Sequence, residues 1–340
     1  MLGTSARRRI ALFSVCALTA LVAVAFLVDG SPAEDRAQAA AGPRAIDALV
    51  PAPAPVERPV NLRPLLSIDL SDRFPRMAHA LTAQRSLLLD SQIVSYYGNP
   101  YTAAMGILGS DDLDSVAARL ERQAAEYDEL NGEAGVIPAI HLVYAVAQYH
   151  PTGNGLYLQY VDDETVQRYI ALAEERNMLL FIDLQIGHSS VDDEIAKVLP
   201  YLEHPLVHLA IDPEFAMRGD DVPGQALGSL SADDIDHAQA VLQALVEREH
   251  LPPKLLIVHQ FIDSMVSNSS AIQRYDDVEL IIDMDGFGPA DIKRVKYQRY
   301  ATRSYAAHAA IKLFLDHDPD LMSEQDVLVL EPRPAVVIYQ

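Results

Sequence analysis

Several short stretches of this chain end in polar residues spaced two apart, the spacing that puts side chains on one face of a β-strand. In His208-Leu209-Ala210-Ile211-Asp212-Pro213-Glu214 the alternation places His208, Ala210, Asp212 and Glu214 together and turns Leu209 and Ile211 the other way. Two carboxylates at one strand end have a definite chemistry. Each raises the proton affinity of the other, so one can stay protonated and donate to a leaving oxygen while its neighbour assists, as glycoside hydrolysis requires. The same three residues, Asp212-Pro213-Glu214, also fit a simple turn followed by a solvated glutamate. What favours a shared site is the company they keep. Phe181-Ile182-Asp183-Leu184-Gln185 places Asp183 and Gln185 on one face, Ile282-Asp283-Met284-Asp285 does the same for Asp283 and Asp285, and Val258-His259-Gln260 ends another apolar run. Side chains this costly to bury unpaired converge where a ligand or solvent can meet them.

The residues define a catalytic set of Glu214, Asp212, Asp183 and Asp285, with Tyr97, Tyr144, Gln185, His259, Gln260 and Asp283 as substrate-binding positions. Tyr96 and Tyr97, together with Tyr149, Tyr157 and Tyr160 in a Gly-containing loop, supply flat rings suited to sugar faces, although the chain has no tryptophan. No cofactor is required by this set. A divalent metal is the open alternative, since His259 with Asp183, Asp212, Glu214 and Asp285 offers mixed nitrogen and oxygen ligands. There is no H-E-x-x-H or H-x-H pair to require one, and His141, His150, His188 and His208 read as ordinary barrel or loop residues. A serine nucleophile has no G-x-S-x-G elbow, and the single cysteine, Cys16, sits in an apolar leader, so thiolate chemistry is excluded.

These residues need elements to position them, and the chain supplies a regular alternation. Strand-like runs occur at Ile93 to Tyr97, Ile137 to Ala147, Met178 to Leu184, Leu206 to Ile211, Lys254 to Val258, Glu279 to Met284, Ala309 to Leu315 and Ala335 to Tyr339. Helical patterns lie between most of them: Asp111 to Leu130, Asp163 to Arg176, Asp192 to Tyr201, Ala232 to Glu249, Met265 to Arg274 and Pro289 to Tyr300. Asp162, and Ser231 with Asp234 three residues on, mark two helix starts. Eight strands alternating with helices over about 250 residues predict a (β/α)8 TIM-type barrel, whose active site lies at the strands' C-terminal ends. The turn after the first strand, Tyr97-Gly98-Asn99-Pro100, lacks the Gly-rich pattern of a dinucleotide-binding sheet. The barrel is expected over residues 65–340, with Leu65 to Leu89 lying across its closed end.

Ahead of it, Arg7-Arg8-Arg9 and a charge-free stretch from Ile10 to Val28 read as an export signal or an uncleaved anchor, assigned to residues 1–39, with small residues at Ala37-Gln38-Ala39. Residues 40–64 are a Pro/Ala-rich linker. The barrel is therefore expected outside the cytoplasm, secreted or tethered, meeting a membrane only through its N-terminal segment, and a monomer. With 26 Lys plus Arg against 48 Asp plus Glu, a formal net charge of −22, it would repel nucleic-acid phosphates.

The Asp212-x-Glu214 ending, together with Ile282-Asp283-Met284-Asp285, resembles the retaining glycoside hydrolase barrels of the chitinase-like type. The resemblance implies that Glu214 is the general acid, Asp212 its partner, and Asp285 or Asp283 a substrate contact. The family's strand carries further aspartates where this chain has Ala210 and His208. Tyr97-Gly98-Asn99-Pro100 and Val258-His259-Gln260-Phe261 resemble stretches of exported bacterial proteins without an assigned activity. The expectation is an extracytoplasmic glycoside hydrolase-like enzyme acting on polysaccharide. Metal-dependent hydrolysis by the same acidic and histidine cluster, and a surface protein that binds glycans without turnover, are the alternatives.

Overall fold

The computed structural model describes residues 85–300 and 303–340, with Met77, Ala80 and Leu81 placed ahead of them. Leader and linker, 1–39 and 40–64, lie outside the described residues. Among the described residues no helix is long and apolar enough to cross a membrane.

Eight parallel strands close into a barrel: β1 (Ser91–Gly98), β2 (Gly135–Ala147), β3 (Leu179–Gly187), β4 (Val207–Ala216), β5 (Lys254–Gln260), β6 (Val278–Met284), β7 (His308–Leu313) and β8 (Val336–Tyr339). Each pairs with its sequence neighbours, and β1 pairs with both β8 and β2, so the barrel is closed. The helices are α1 (Leu113–Leu130), α2 (Asp163–Arg176), α3 (Val191–Leu202), α4 (Ala232–Glu249), α5 (Ala290–Tyr300) and the short α6 (Glu324–Leu328). Their starts are capped by side chains that satisfy otherwise orphaned amides: Asp162 accepts from Thr165 N at 2.8 Å, and Ser231 and Asp234 form a reciprocal capping box.

Strand alternation sorts the apolar residues into two cores. Outward-facing Leu180, Ile182, Leu209, Ile211 and Val258 meet the helices through residues such as Leu120, Val166, Ile195 and Leu242. Inward-facing Ile93, Ile137, Leu179, Leu255, Ile281 and Val336 fill the N-terminal end of the barrel, and Met77, Leu81, Leu87 and Leu88 pack onto them as a plug. These four residues lie where the segment preceding the first strand is expected; residues 65–76 of that segment lie outside the described residues. Above that layer, Phe181, Ala210, Ile257, Ala310 and Ile338 complete an apolar floor.

One expected helix is absent. Met265 to Arg274 forms two 3-10 turns, Asp263–Met265 and Ser269–Ala271, with Met265 and Ile272 tucked into the core. The run Ser267-Asn268-Ser269-Ser270 explains it, because short polar side chains compete for the backbone, and Asn268 adopts a left-handed conformation (φ 53°) that a helix interior does not accept.

A buried ion pair holds the C-terminal ends of β6 and β7. Lys293 Nζ, without solvent exposure, lies 3.0 Å from Asp318 Oδ2 and donates to the carbonyls of Gly286 (2.8 Å) and Lys312 (2.7 Å). Asp318 in turn accepts from Gly288 N and Phe314 N. Removing one partner strands the other charge in the interior, so Lys293→Met is expected to cost about 3–5 kcal/mol in urea unfolding, and Lys293→Met with Asp318→Leu to recover part of it.

Candidate active site

The inward faces of β2 to β7 change character above the apolar floor. His141 from β2, Asp183 from β3, His259 from β5 and Asp283 from β6 have no solvent exposure. They lie close together as an inner tier. Asp183 Oδ2 is 3.4 Å from His141 Nε2 and 3.3 Å from His259 Nε2, while His259 Nδ1 meets Asp283 Oδ2 at 2.8 Å and Asp285 Oδ2 at 3.4 Å. Register explains the convergence: His259 is directly opposite Asp283, and Asp183 opposite Val143, two residues beyond His141. Phe181 stacks under His141, their ring centroids 5.4 Å apart, and Tyr97 lies 5.0 Å from His141 and 6.0 Å from His259.

Asp212 and Glu214 from β4, Asp285 just beyond β6 and Lys312 from β7 form an outer tier nearer the mouth, where Glu214 is part-exposed. Lys312 Nζ bonds Asp285 Oδ2 at 3.1 Å and lies 3.5 Å from the centre of the Tyr97 ring, a cation–π contact inside the protein. The turn reading of Asp212-Pro213-Glu214 does not hold, because β4 continues to Ala216. Pro213 is accommodated since pairing with β5 ends at Ile211 and the pairing with β3 is irregular beyond Gln185, leaving a position where a missing amide costs little. Asp212 Oδ1 accepts the backbone N–H of Glu214 at 2.9 Å, fixing the pair. The following loop folds back on the strand, with Gly228 N donating to Glu214 O. A Cβ at Gly228 would stand 2.5 Å from Ala216 N, so only glycine allows that approach.

Charge and burial divide the proton affinities. Burial pushes the Asp212 carboxyl up to about 7, with Asp183 and Asp285 adding to the rise against the pull of His259. Glu214 is also held well above the ordinary carboxylate range by burial and then by Asp212 and Asp285. At Asp183 and His259 burial opposes ionisation but loses: the neighbouring imidazoles, His259 first, hold Asp183 well below its usual range, and Asp183 and Asp283 hold His259 well above its own. His141 is lowered by burial. The site thus has carboxyl groups that keep a proton, Asp212 and Glu214, beside one that does not, Asp183.

The proposed residues divide on placement. Glu214, Asp212, Asp183, Asp285, Asp283, His259 and Tyr97 share the barrel axis. Tyr144 does not: in phase with Ile140 and Leu142 and out of phase with inward-facing His141, it lies on the helix side, 5.7 Å from the Tyr160 ring and 6.3 Å from that of Tyr201. Gln260 is also turned away from the axis. It follows inward-facing His259, pairs with outward-facing Met284, and donates to Ile262 O at 3.2 Å. Gln185 spends its carbonyl oxygen on Ala147 N at 2.7 Å, tying β3 to the end of β2. Two members were not in the expected set. Lys312 carried a signal, a lone lysine in the apolar run Ala309-Ala310-Ile311-Lys312-Leu313, in phase with inward-facing Ala310; His141 has no local sign separating it from His208.

No protein-family model and no curated protein matches the sequence. Among solved structures the chain is similar to a GH18 chitinase from Pseudoalteromonas aurantia, at 11% identity and TM-score 0.37, covering 73% of this chain and 93% of that one. A sugar phosphate isomerase/epimerase from Parabacteroides distasonis shows 9% identity and TM-score 0.35, covering 74% and 86%. A GH26-CBM35 β-(1,4)-mannanase from Podospora anserina shows 8% identity and TM-score 0.30, covering 85% and 64%. The barrel itself is established by this chain's own strand order.

Because Asp212 binds its proton more tightly folded than unfolded, its contribution to stability is fully present below about pH 4 and is lost as pH rises through about 7. Asp212→Asn keeps the oxygen that accepts from Glu214 N and cannot ionise. Thermal unfolding from pH 5 to pH 8 should therefore show the variant gaining stability relative to wild type as pH rises; a constant difference would contradict the assignment.

Proposed function

We propose that this chain is a glycoside hydrolase-like enzyme acting on polysaccharide outside the cytoplasm, with Glu214 as the general acid. The observation that carries the reading is the fixed Asp212 and Glu214 pair at the C-terminal end of β4, part-exposed at the barrel mouth and faced by Asp285. A glycosidic oxygen needs a proton as its bond to carbon breaks, and a carboxylic acid that keeps its proton near neutrality can deliver it. Asp212 holds the main chain of Glu214, and burial, with Asp212 and Asp285 close by, keeps the acid protonated. Asp285, neutralised in part by Lys312, stands ready to meet charge developing on the sugar. Tyr97 is mostly buried beneath Lys312 and serves to position that lysine rather than to stack on substrate. The charge-free leader behind Arg7-Arg8-Arg9 and the overall acidity support an extracytoplasmic location and a neutral polymer as partner, with the chain acting as a monomer.

The test is a screen of the chain against soluble polysaccharides, reading reducing ends, with wild type compared to Glu214→Gln. Loss of about 10²–10⁴ in kcat, with the fold retained by circular dichroism, is expected for a general acid. Wild-type activity should fall on the alkaline side as Glu214 loses its proton, and the residual activity of Glu214→Gln should lack that limb. Equal turnover by both proteins removes Glu214 from the mechanism, and saturable polysaccharide binding without new reducing ends would instead favour a non-catalytic glycan-binding barrel.

A further inference from the structure

The glycosidase reading uses the outer tier and leaves the inner one without a task. Its donor atoms are conspicuously unused. His141 Nε2, His259 Nε2 and both carboxylate oxygens of Asp183 are buried and have no hydrogen-bond partner among the described residues, a costly state for groups of this kind. They also face one another, with Asp183 Oδ2 3.4 Å from His141 Nε2 and 3.3 Å from His259 Nε2, and all three atoms within 4.8 Å of each other. Direct hydrogen bonds would draw such atoms to about 2.7–2.9 Å. A tetrahedral ion with bonds of about 2.0–2.1 Å holds its ligands about 3.3–3.4 Å apart, whereas octahedral neighbours at the same bond length would lie about 2.9–3.0 Å apart.

We infer that His141, Asp183 and His259 form a binding site for a tetrahedral divalent transition-metal ion, zinc by donor chemistry, at the base of the barrel mouth. Two imidazole nitrogens and one carboxylate oxygen suit zinc and its neighbours and disfavour the all-oxygen preferences of magnesium and calcium. The surroundings fit a metal-binding histidine. Asp283 Oδ2 accepts His259 Nδ1–H at 2.8 Å, which orients the ring and leaves Nε2 free toward Asp183, the carboxylate–histidine–metal arrangement. Asp183 and Asp283 together balance a dication, and Lys312 is already paired with Asp285. The alternative grouping of His259, Asp283 and Asp285 is less suited, because its histidine and Asp283 already bond each other and the Lys312 ammonium occupies Asp285. The site stands apart from the assignment of Glu214 and does not depend on it.

Purified without chelator and dialysed after incubation with zinc alone, the full chain is expected to retain about one equivalent by elemental analysis. His141→Gln and Asp183→Asn should each lower retention at least tenfold. Asp283→Asn, acting through His259, should weaken zinc binding by about 10–100-fold. His208→Gln, an interior histidine outside the triangle, should retain the metal and so controls for general damage to the core. Replacement by cobalt supplies a readout independent of any variant: the intense visible bands of tetrahedral cobalt support the site. A folded wild-type chain that holds neither zinc nor cobalt overturns it, as does equal retention by wild type, His141→Gln and Asp183→Asn.

Discussion

Closing eight parallel strands into a cylinder gives each strand one face toward the helices and one toward an axis that only side chains can fill. The organisation of this protein depends on how that inward face is filled. Toward the N-terminal end the inward positions are Ile93, Ile137, Leu179, Leu255, Ile281 and Val336, sealed below by Met77, Leu81, Leu87 and Leu88. Toward the other end the same alternation brings His141, Asp183, His259, Asp283 and Lys312 inside, where water is scarce and a polar group must find a partner in the protein or in a ligand.

Two tiers follow from depth. In the lower one the groups are fully enclosed, and His259 stands between the carboxyl groups of Asp183 and Asp283. In the upper one, burial exceeds compensation. Asp212 and Glu214 have each other and Asp285 close by, while the cations near them, His259 and Lys312, are engaged by Asp183, Asp283 and Asp285, so protons are retained there. The same fold thus sets carboxyl groups to opposite protonation states within one cavity, as acid catalysis requires. Lys293 contributes from behind: its bonds to the carbonyls of Gly286 and Lys312 fix the backbone on which Asp285 and the Lys312 side chain are carried.

The mouth is shaped by departures from regular strand structure. Irregular pairing after Gln185 lets β4 run on through Pro213 to present Glu214. Such irregularities re-aim side chains where a regular ladder would continue the alternation. Simple counting by twos places Asp183 and Asp212 toward the axis, and it likewise puts Tyr144, in phase with Leu142, on the helix side.

The strand and helix rhythm, the inward phase of Asp183, Asp212, His259 and Asp283, and the caps at Asp162 and Ser231 were all legible in the sequence, because each depends on residues a few positions apart. The short segment after β5 was misread as helical, since its apolar spacing outweighed the local chemistry of Ser267 to Ser270. What only the tertiary structure decided is which distant residues meet. His141 becomes a partner of Asp183 and His259, and Lys312 a partner of Asp285 and Tyr97, through strand register around a closed barrel. That register is set by packing between segments far apart in the chain, so it leaves no pattern within any one of them.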